Sequence, residues 1–323
     1  IWYEPEMISP DSDLFRAHPD WCVHVPNRKP CIGRHQYVLD MSRKDVRDNI
    51  FDQMYSVLSK YKIDYIKWDF NRNISDAGSA LLPADRQGEF FHRFILGTYE
   101  LMGRIRDAFP DMLFENCSGG GGRTDYEGLK YFTEMWPSDN TDPIERLFIQ
   151  YGYSQAFPAK VQCAHVTTWN KKAPIKFRTN VAMMGKLGFD LNLHDLKSDE
   201  LAYCKQSIKE YNRLKPVILE GDQYRLVSPY EGNHAATMFV DKADKNAVVF
   251  AFDVHPRYNE KLNNVKLQGL DPKATYKVSE INRADCSADN NAKNYSGQYL
   301  MTVGLPMFTT GDLSSRVYEL NAL

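Results

Sequence analysis

Ile63-Asp64-Tyr65-Ile66-Lys67-Trp68-Asp69-Phe70-Asn71-Arg72 decides how this chain is read. The stretch opens as a strand, rich in the β-branched and aromatic residues that suit a packed, pleated surface. Side chains alternate along a strand, so Lys67, Asp69 and Asn71 share one face while Trp68 and Phe70 take the other. A cation, an acid and an amide delivered together by one strand end fit the mouth of a (β/α)8 barrel, where the active site gathers at the C-terminal ends of the strands. Asp69 is then the candidate nucleophile, and Lys67 and Asn71 hold substrate. The competing reading is a strand that ends in solvent with a salt-bridged carboxylate.

Outward from this stretch, strands and helices alternate. Strand ends fall near Trp2, Leu39, Asp69, Asn116, Trp136, Val166 and Leu193. Val46, Ile50, Met54 and Leu58 recur at helical spacing behind a Ser42/Asp45 capping pair. A long helix is expected over 84–108, with Phe91, Phe94, Ile95, Leu101, Met102 and Ile105 inward and Pro110 ending it. Helices are also expected near 143–152 and 174–183. A last helix, capped by Ser198, carries the stripe Leu201, Cys204, Ile208 and Tyr211. Such alternation predicts parallel βαβ units. Seven strand ends, against the eight of a closed barrel, suggest that the first βα unit lies upstream. From about residue 218 helical periodicity gives way to short strands (Leu226-Val227, Ala236–Val240, Val248–Phe252, Tyr276–Val278, Val317–Leu320) separated by Asn, Asp, Gly and Pro. The expected fold is therefore α/β: a (β/α)8 barrel over residues 1–217, missing its first βα unit, then an antiparallel β-sandwich over 218–323.

Bulk properties narrow the function. The chain has 323 residues and a net charge of −2, which favours neither nucleic acid nor an anionic membrane as partner. No apolar run approaches the length of a membrane span. The chain opens on Ile1 rather than Met, which suggests a piece of something longer. The six cysteines form no CxxC pair, so no zinc site is expected. Their scatter favours a reducing, cytoplasmic compartment over a periplasmic or secreted one.

The chemistry rests on two acids. Asp69 ends one strand, and Asp139 follows another in Trp136-Pro137-Ser138-Asp139-Asn140-Thr141-Asp142. Paired carboxylates serve glycoside hydrolysis, one attacking or directing water and the other protonating the leaving oxygen. Lys67 on the same face would keep Asp69 charged. Asp142 and Glu145 compete for the acid role, but the first-turn dipole of the next helix already accounts for them. Gly119–Gly122 lets backbone approach a ligand closely. A phosphate loop would end in Gly-Lys-Ser/Thr, whereas this run ends in Arg123-Thr124, so a phosphate-binding α/β protein is disfavoured. Trp2 could stack on a sugar and Arg34 bond its hydroxyls; core filler and surface charge are their alternatives. Gly152–Ala156 lacks the final Gly of a serine nucleophile elbow. His165 and His194 have no metal-ligand spacing.

At this point Trp2-Tyr3-Glu4-Pro5-Glu6-Met7, Lys67–Arg72, Glu115-Asn116-Cys117-Ser118-Gly119-Gly120-Gly121-Gly122-Arg123 and Trp136–Asp142 resemble, in order, the signature blocks of family 36 glycoside hydrolases, the microbial α-galactosidases. The resemblance implies a retaining mechanism with Asp69 as nucleophile and Asp139 as acid/base. It implies that Trp2, Arg34, Lys67, Asn71 and Cys117 line the galactose subsite; Cys117 enters on the resemblance alone, and Gly119 joins the substrate-binding residues from the glycine run. It implies raffinose- or melibiose-type substrates, no metal or organic cofactor, and a homo-oligomer in the full-length protein. An α-N-acetylgalactosaminidase, a raffinose-synthase-type transglycosylase and a catalytically dead sugar-binding relative are the alternatives. The family's large N-terminal β-domain and a first barrel strand with paired aspartates are not in this sequence, so the chain by itself is expected not to hydrolyse substrate.

Overall fold

In the computed structural model, which describes residues 1–169 and 171–323, the chain divides into two units, Ile1–Asp139 and Asn140–Leu323. The first unit runs β1 (Trp2–Tyr3), β2 (Met7–Ile8), α1 (Asp13–Ala17), β3 (Tyr37–Val38), α2 (Lys44–Leu58), β4 (Tyr65–Trp68), α3 (Phe90–Ala108), β5 (Leu113–Asn116) and β6 (Glu134–Met135). Its main sheet is parallel, in the order β1-β4-β5-β6. Ile66 and Trp68 of β4 are fully buried among Val46, Ile50, Met54 and Leu58 of α2 and Phe94, Leu101, Met102 and Ile105 of α3. The apolar face of β4 thus points at the helices, which leaves its polar face for chemistry.

Three expectations are corrected in this unit. The strand ending near Leu39 does not join the parallel sheet; β3 pairs antiparallel with β2 in a sheet of their own. Strand propensity announced it, but only pairing could reveal its direction. Ser42 and Asp45 do not cap α2: Ser42 bonds to Asp40, and the N-cap Arg43 makes no side-chain capping bond. Residues 84–89 form a 3-10 turn before α3, and Phe91 and Ile95, expected inside, are 55% and 37% exposed. Phe90 is buried instead.

The second unit contains α4 (Pro143–Tyr153), β7 (Cys163–Thr167), α5 (Ile175–Ala182), β8 (Lys186–Asp190) and α6 (Ser198–Glu220). β7 and β8 pair in parallel. Asp142 is the N-cap of α4, its Oδ1 accepting from the Ile144 and Glu145 amides, which gives it a structural role. In α6 the N-cap is Lys197, one residue before Ser198. Its buried stripe is Tyr203, Cys204, Ser207, Tyr211, Leu214 and Ile218, while Ile208 is exposed. Two tyrosines set this phase: Tyr203 donates to the Asn282 carbonyl and Tyr211 to the Gly185 carbonyl. The helix continues through Pro216 to Glu220, beyond the expected change of pattern.

The rest is antiparallel, as expected. β9 (Asp222–Val227), β10 (His234–Val240), β11 (Asn246–Asp253), β12 (Thr275–Ile281), β13 (Lys293–Ser296) and β14 (Ser314–Ala322) form one six-stranded sheet, in the order β13-β12-β14-β11-β10-β9. One face packs Phe239, Val248, Phe250 and Val317 against α5 and α6 residues such as Phe177 and Leu214. The other packs Met238, Val249 and Leu320 against Val265, Leu267, Leu305 and Met307 and against Leu300 of α7 (Gly297–Thr302). That second layer holds one isolated bridge, Val265 to Leu305, in place of a regular sheet. Among the described residues, no helix is long and apolar enough to cross a membrane.

Candidate active site

Strand register assembles the site. Trp2, Lys67, Glu115 and Glu134 stand in one row across β1, β4, β5 and β6, with Tyr3, Trp68, Asn116 and Met135 in the next. The backbone bonds continue one level further: the Asp69 amide donates to Tyr3, Cys117 to Trp68 and Trp136 to Asn116. Asp69, Cys117 and Trp136 therefore emerge together at the C-terminal ends of adjacent strands, where a parallel α/β sheet builds its sites.

Asp69 is 6% exposed and surrounded by donors. Its Oδ2 accepts from Trp2 Nε1 at 3.2 Å and Asn71 Nδ2 at 2.6 Å; its Oδ1 accepts from the Phe70 and Gly119 amides at 2.8 and 3.3 Å. Burial pushes the carboxyl pKa up, but bonds from Asn71, Cys117, Gly119 and Trp2 outweigh it, and the net shift is downward. Asp69 is thus held ionised, as a nucleophile must be. A depressed folded-state pKa stabilises the fold at pH above the ordinary carboxylate range, and that stability is lost as pH falls through the lowered value. Asn71→Ala removes the foremost of the downward causes, so the Asp69 titration midpoint, read by carboxyl-carbon NMR, moves to higher pH.

Lys67 stands one pleat below on the same face. Burial lowers its pKa, and Glu115 more than compensates, leaving it raised and the ammonium charged. Its Nζ lies 2.7 Å from Glu115 Oε1 and 4.5 Å from the centre of the Trp136 ring. The indole N–H of Trp136 in turn donates to Asp139 Oδ1 at 2.8 Å. One tryptophan therefore joins the cation of the β4 face to the second acid. Asp139 itself is exposed.

The glycine run brings the two acids to one place. Gly119 offers its amide to Asp69, and a Cβ on Gly120 would come within 2.7 Å of the Asp139 nitrogen and 3.3 Å of its Cγ. Gly119, Gly120 and Gly121 all have positive φ, so the loop needs glycine for conformation as well as for space. Cys117 is buried, its thiol pushed up to about 12 chiefly by burial, and it bonds to Asp69 as a neutral donor. Arg34, itself at positive φ, donates to the Asn71 carbonyl at 3.0 Å. Arg34, Asn71, Gly119 and Asp139 open onto a cleft of about 880 Å³.

All eight residues singled out in the sequence (Trp2, Arg34, Lys67, Asp69, Asn71, Cys117, Gly119 and Asp139) fall in the first unit. Sequence reasoning missed their supports. Glu4 accepts from Asn71 Nδ2 at 2.8 Å. Glu6, fully buried, accepts from Trp68 Nε1 and from both terminal nitrogens of Arg123. Glu115 and Glu134, buried, share the Tyr65 hydroxyl. For Glu115 a signal existed: it precedes Cys117 by two, as Lys67 precedes Asp69, and so shares its face.

Comparison with known proteins follows the same lines. The sequence profile described as Melibiase matches residues 1–221, and that described as the glycosyl hydrolase family 36 C-terminal domain matches residues 234–320. The chain is 41% identical to alpha-galactosidase Mel36A of Lactobacillus acidophilus, covering 100% of this chain and 43% of that protein. It superposes with a TM-score of 0.93, at 40% identity, on a variant of the α-galactosidase AgaA of Geobacillus stearothermophilus in complex with raffinose. A second AgaA variant, in complex with stachyose, gives 0.92 at 41%. Each of these two matches covers all of this chain and 44% of the AgaA chain. The chain thus spans less than half the length of the relatives it matches.

Proposed function

The chain belongs to glycoside hydrolase family 36, and on that premise we propose that it carries the two catalytic carboxylates of a retaining α-galactosidase acting on raffinose- or melibiose-type oligosaccharides. One observation carries this reading: an ionised, donor-surrounded Asp69 and an accessible Asp139 flank consecutive glycines at parallel strand ends. A further correspondence supports it. The two AgaA complexes carry substitutions at different aspartates, whose separation along that chain equals that between Asp69 and Asp139.

In the proposed reaction, Asp69 attacks the anomeric carbon from the face opposite the leaving oxygen. A glycosyl–enzyme ester forms, the glycosidic C–O bond breaks, and Asp139 transfers its proton to the departing oxygen. Asp139 then takes a proton from water, which attacks the same carbon and releases Asp69 as carboxylate. Two inversions give net retention. Trp2, Lys67, Asn71, Cys117 and Gly119 hold the galactosyl unit and the charge on Asp69, with Arg34 at the cleft rim. The six parallel strands belong to a (β/α)8 barrel, with the catalytic part running over 1–217 and the β-domain over 218–323. Since β3 is antiparallel, the described residues offer six parallel strands to that reading rather than the seven expected.

The test is made on the longest natural polypeptide containing this sequence. It should hydrolyse an aryl α-galactoside and discriminate against the aryl α-N-acetylgalactosaminide by at least about a hundredfold, the scale at which a crowded or unpaired polar group is rejected. Equal turnover of both would contradict the galactose assignment. Retained sugar affinity with no turnover would point to a binding protein instead.

A further inference from the structure

The cleft of about 880 Å³ is bordered by Asp139 and by Asn71 and Gly119, which hydrogen-bond to Asp69. Its walls differ in character. Asn71, Ser118 and Gly119 form a polar side next to the nucleophile. Opposite in chemistry are Ile74, Phe91, Phe94 and Ile95. Phe94 is buried core, but Phe91 and Ile95, four residues apart on α3, turn out to solvent at 55% and 37% exposure. Phe91 stands edge-on to Phe90, with ring centres 5.4 Å apart at 62°. Two large apolar side chains exposed one helical turn apart, on the wall of a cleft holding the catalytic acid, form a ligand face more readily than a random patch.

Resting on the reading of Asp139 as acid, we propose that Phe91 and Ile95 form the leaving-group subsite, a platform for the apolar C–H face of the sugar expelled from galactose. The acid must touch the glycosidic oxygen, so the leaving sugar lies by Asp139, in the cleft that Phe91 and Ile95 also line. The galactosyl unit meets the polar side, where Asn71 and Gly119 contact the nucleophile. The three arginines that line the cleft are already engaged: Arg34 with the Asn71 carbonyl, Arg72 with the Cys31 and Asn73 carbonyls, and Arg123 with Glu6. The subsite therefore selects its occupant by shape and apolar contact rather than by charge. Neutral sugar leaving groups suit it, and acidic ones gain nothing from it.

The test compares kcat/KM for a raffinose-type trisaccharide with that for α-galactosyl fluoride, whose leaving group occupies no sugar subsite. The ratio of the two is internally corrected for folding and for the amount of active enzyme. In Phe91→Ala the ratio falls about fivefold to tenfold, the scale of one aromatic packing contact; Ile95→Ala lowers it less, and Phe91→Tyr retains it. A ratio unchanged in Phe91→Ala, whatever the absolute rates, overturns the proposal, as does a fall of the same size in Phe91→Tyr. Absence of turnover of both substrates in the unsubstituted protein would remove the α-galactosidase reading itself, and this inference with it.

Discussion

In the longest natural polypeptide containing this sequence, Asp69→Ala is expected to lower kcat on an aryl α-galactoside on the order of 10⁶-fold, the scale seen when a covalent nucleophile is deleted, and azide to restore part of the rate. The expectation follows from what surrounds this carboxylate. Four donors, from Trp2, Phe70, Asn71 and Gly119, converge on its two oxygens. They hold it charged and aim it, and none can attack carbon in its place. Lys67 cannot substitute, because its ammonium is paired with Glu115 and its pKa is raised, which withholds a free amine. Truncation to alanine opens space on the nucleophile's side of the sugar, and a small anion can fill it. Azide attacks there while Asp139 still protonates the leaving oxygen, so the trapped product is the β-galactosyl azide. Near-normal turnover without azide would mean that Asp69 is a structural strand-end carboxylate.

The second large effect is on stability. Glu6→Ala destabilises the first unit by about 3–5 kcal/mol, the cost of leaving a buried charge without its partner. Glu6 is fully buried and accepts from Arg123 at 2.7 and 2.9 Å and from Trp68 Nε1 at 3.0 Å. Its loss strands the guanidinium, only 9% exposed and stacked over Phe70 at 4.6 Å, and orphans a buried indole N–H. Arg123 closes the glycine run, so the same change should also loosen the loop between Asp69 and Asp139. The urea midpoint measures the first effect. A companion variant carrying Arg123→Met as well removes the stranded charge and should regain a substantial part of the loss. No shift of the midpoint in Glu6→Ala would show that this pair is solvated and of little energetic weight.

The β4 face was legible because side-chain alternation is local. Lys67, Asp69 and Asn71 could be assigned to one side from spacing alone, and the buried Trp68 confirms the phase. The glycine run was visible as an oddity, yet its purpose depends on Pro137 and Asp139, which only the fold brings against it. The β3 error has the same origin: a short strand carries no mark of its direction, and its partner Met7–Ile8 lies some 30 positions away. Phe91 and Ile95 were placed in the core because helical periodicity reports which residues are apolar, not which of them a cleft leaves uncovered. Glu6 and Arg123 were invisible as a pair, since 117 residues separate them.

The measurement that tests the central claim most directly is mechanism-based labelling. The longest natural polypeptide containing this sequence is treated with a fluorinated galactosyl donor whose glycosyl–enzyme ester turns over slowly, then digested and mapped by mass spectrometry. The account predicts a single galactosyl adduct on Asp69, absent from Asp69→Ala and still formed, more slowly, in Asp139→Ala. An adduct on any other carboxylate, or product of inverted configuration with no adduct, would contradict it.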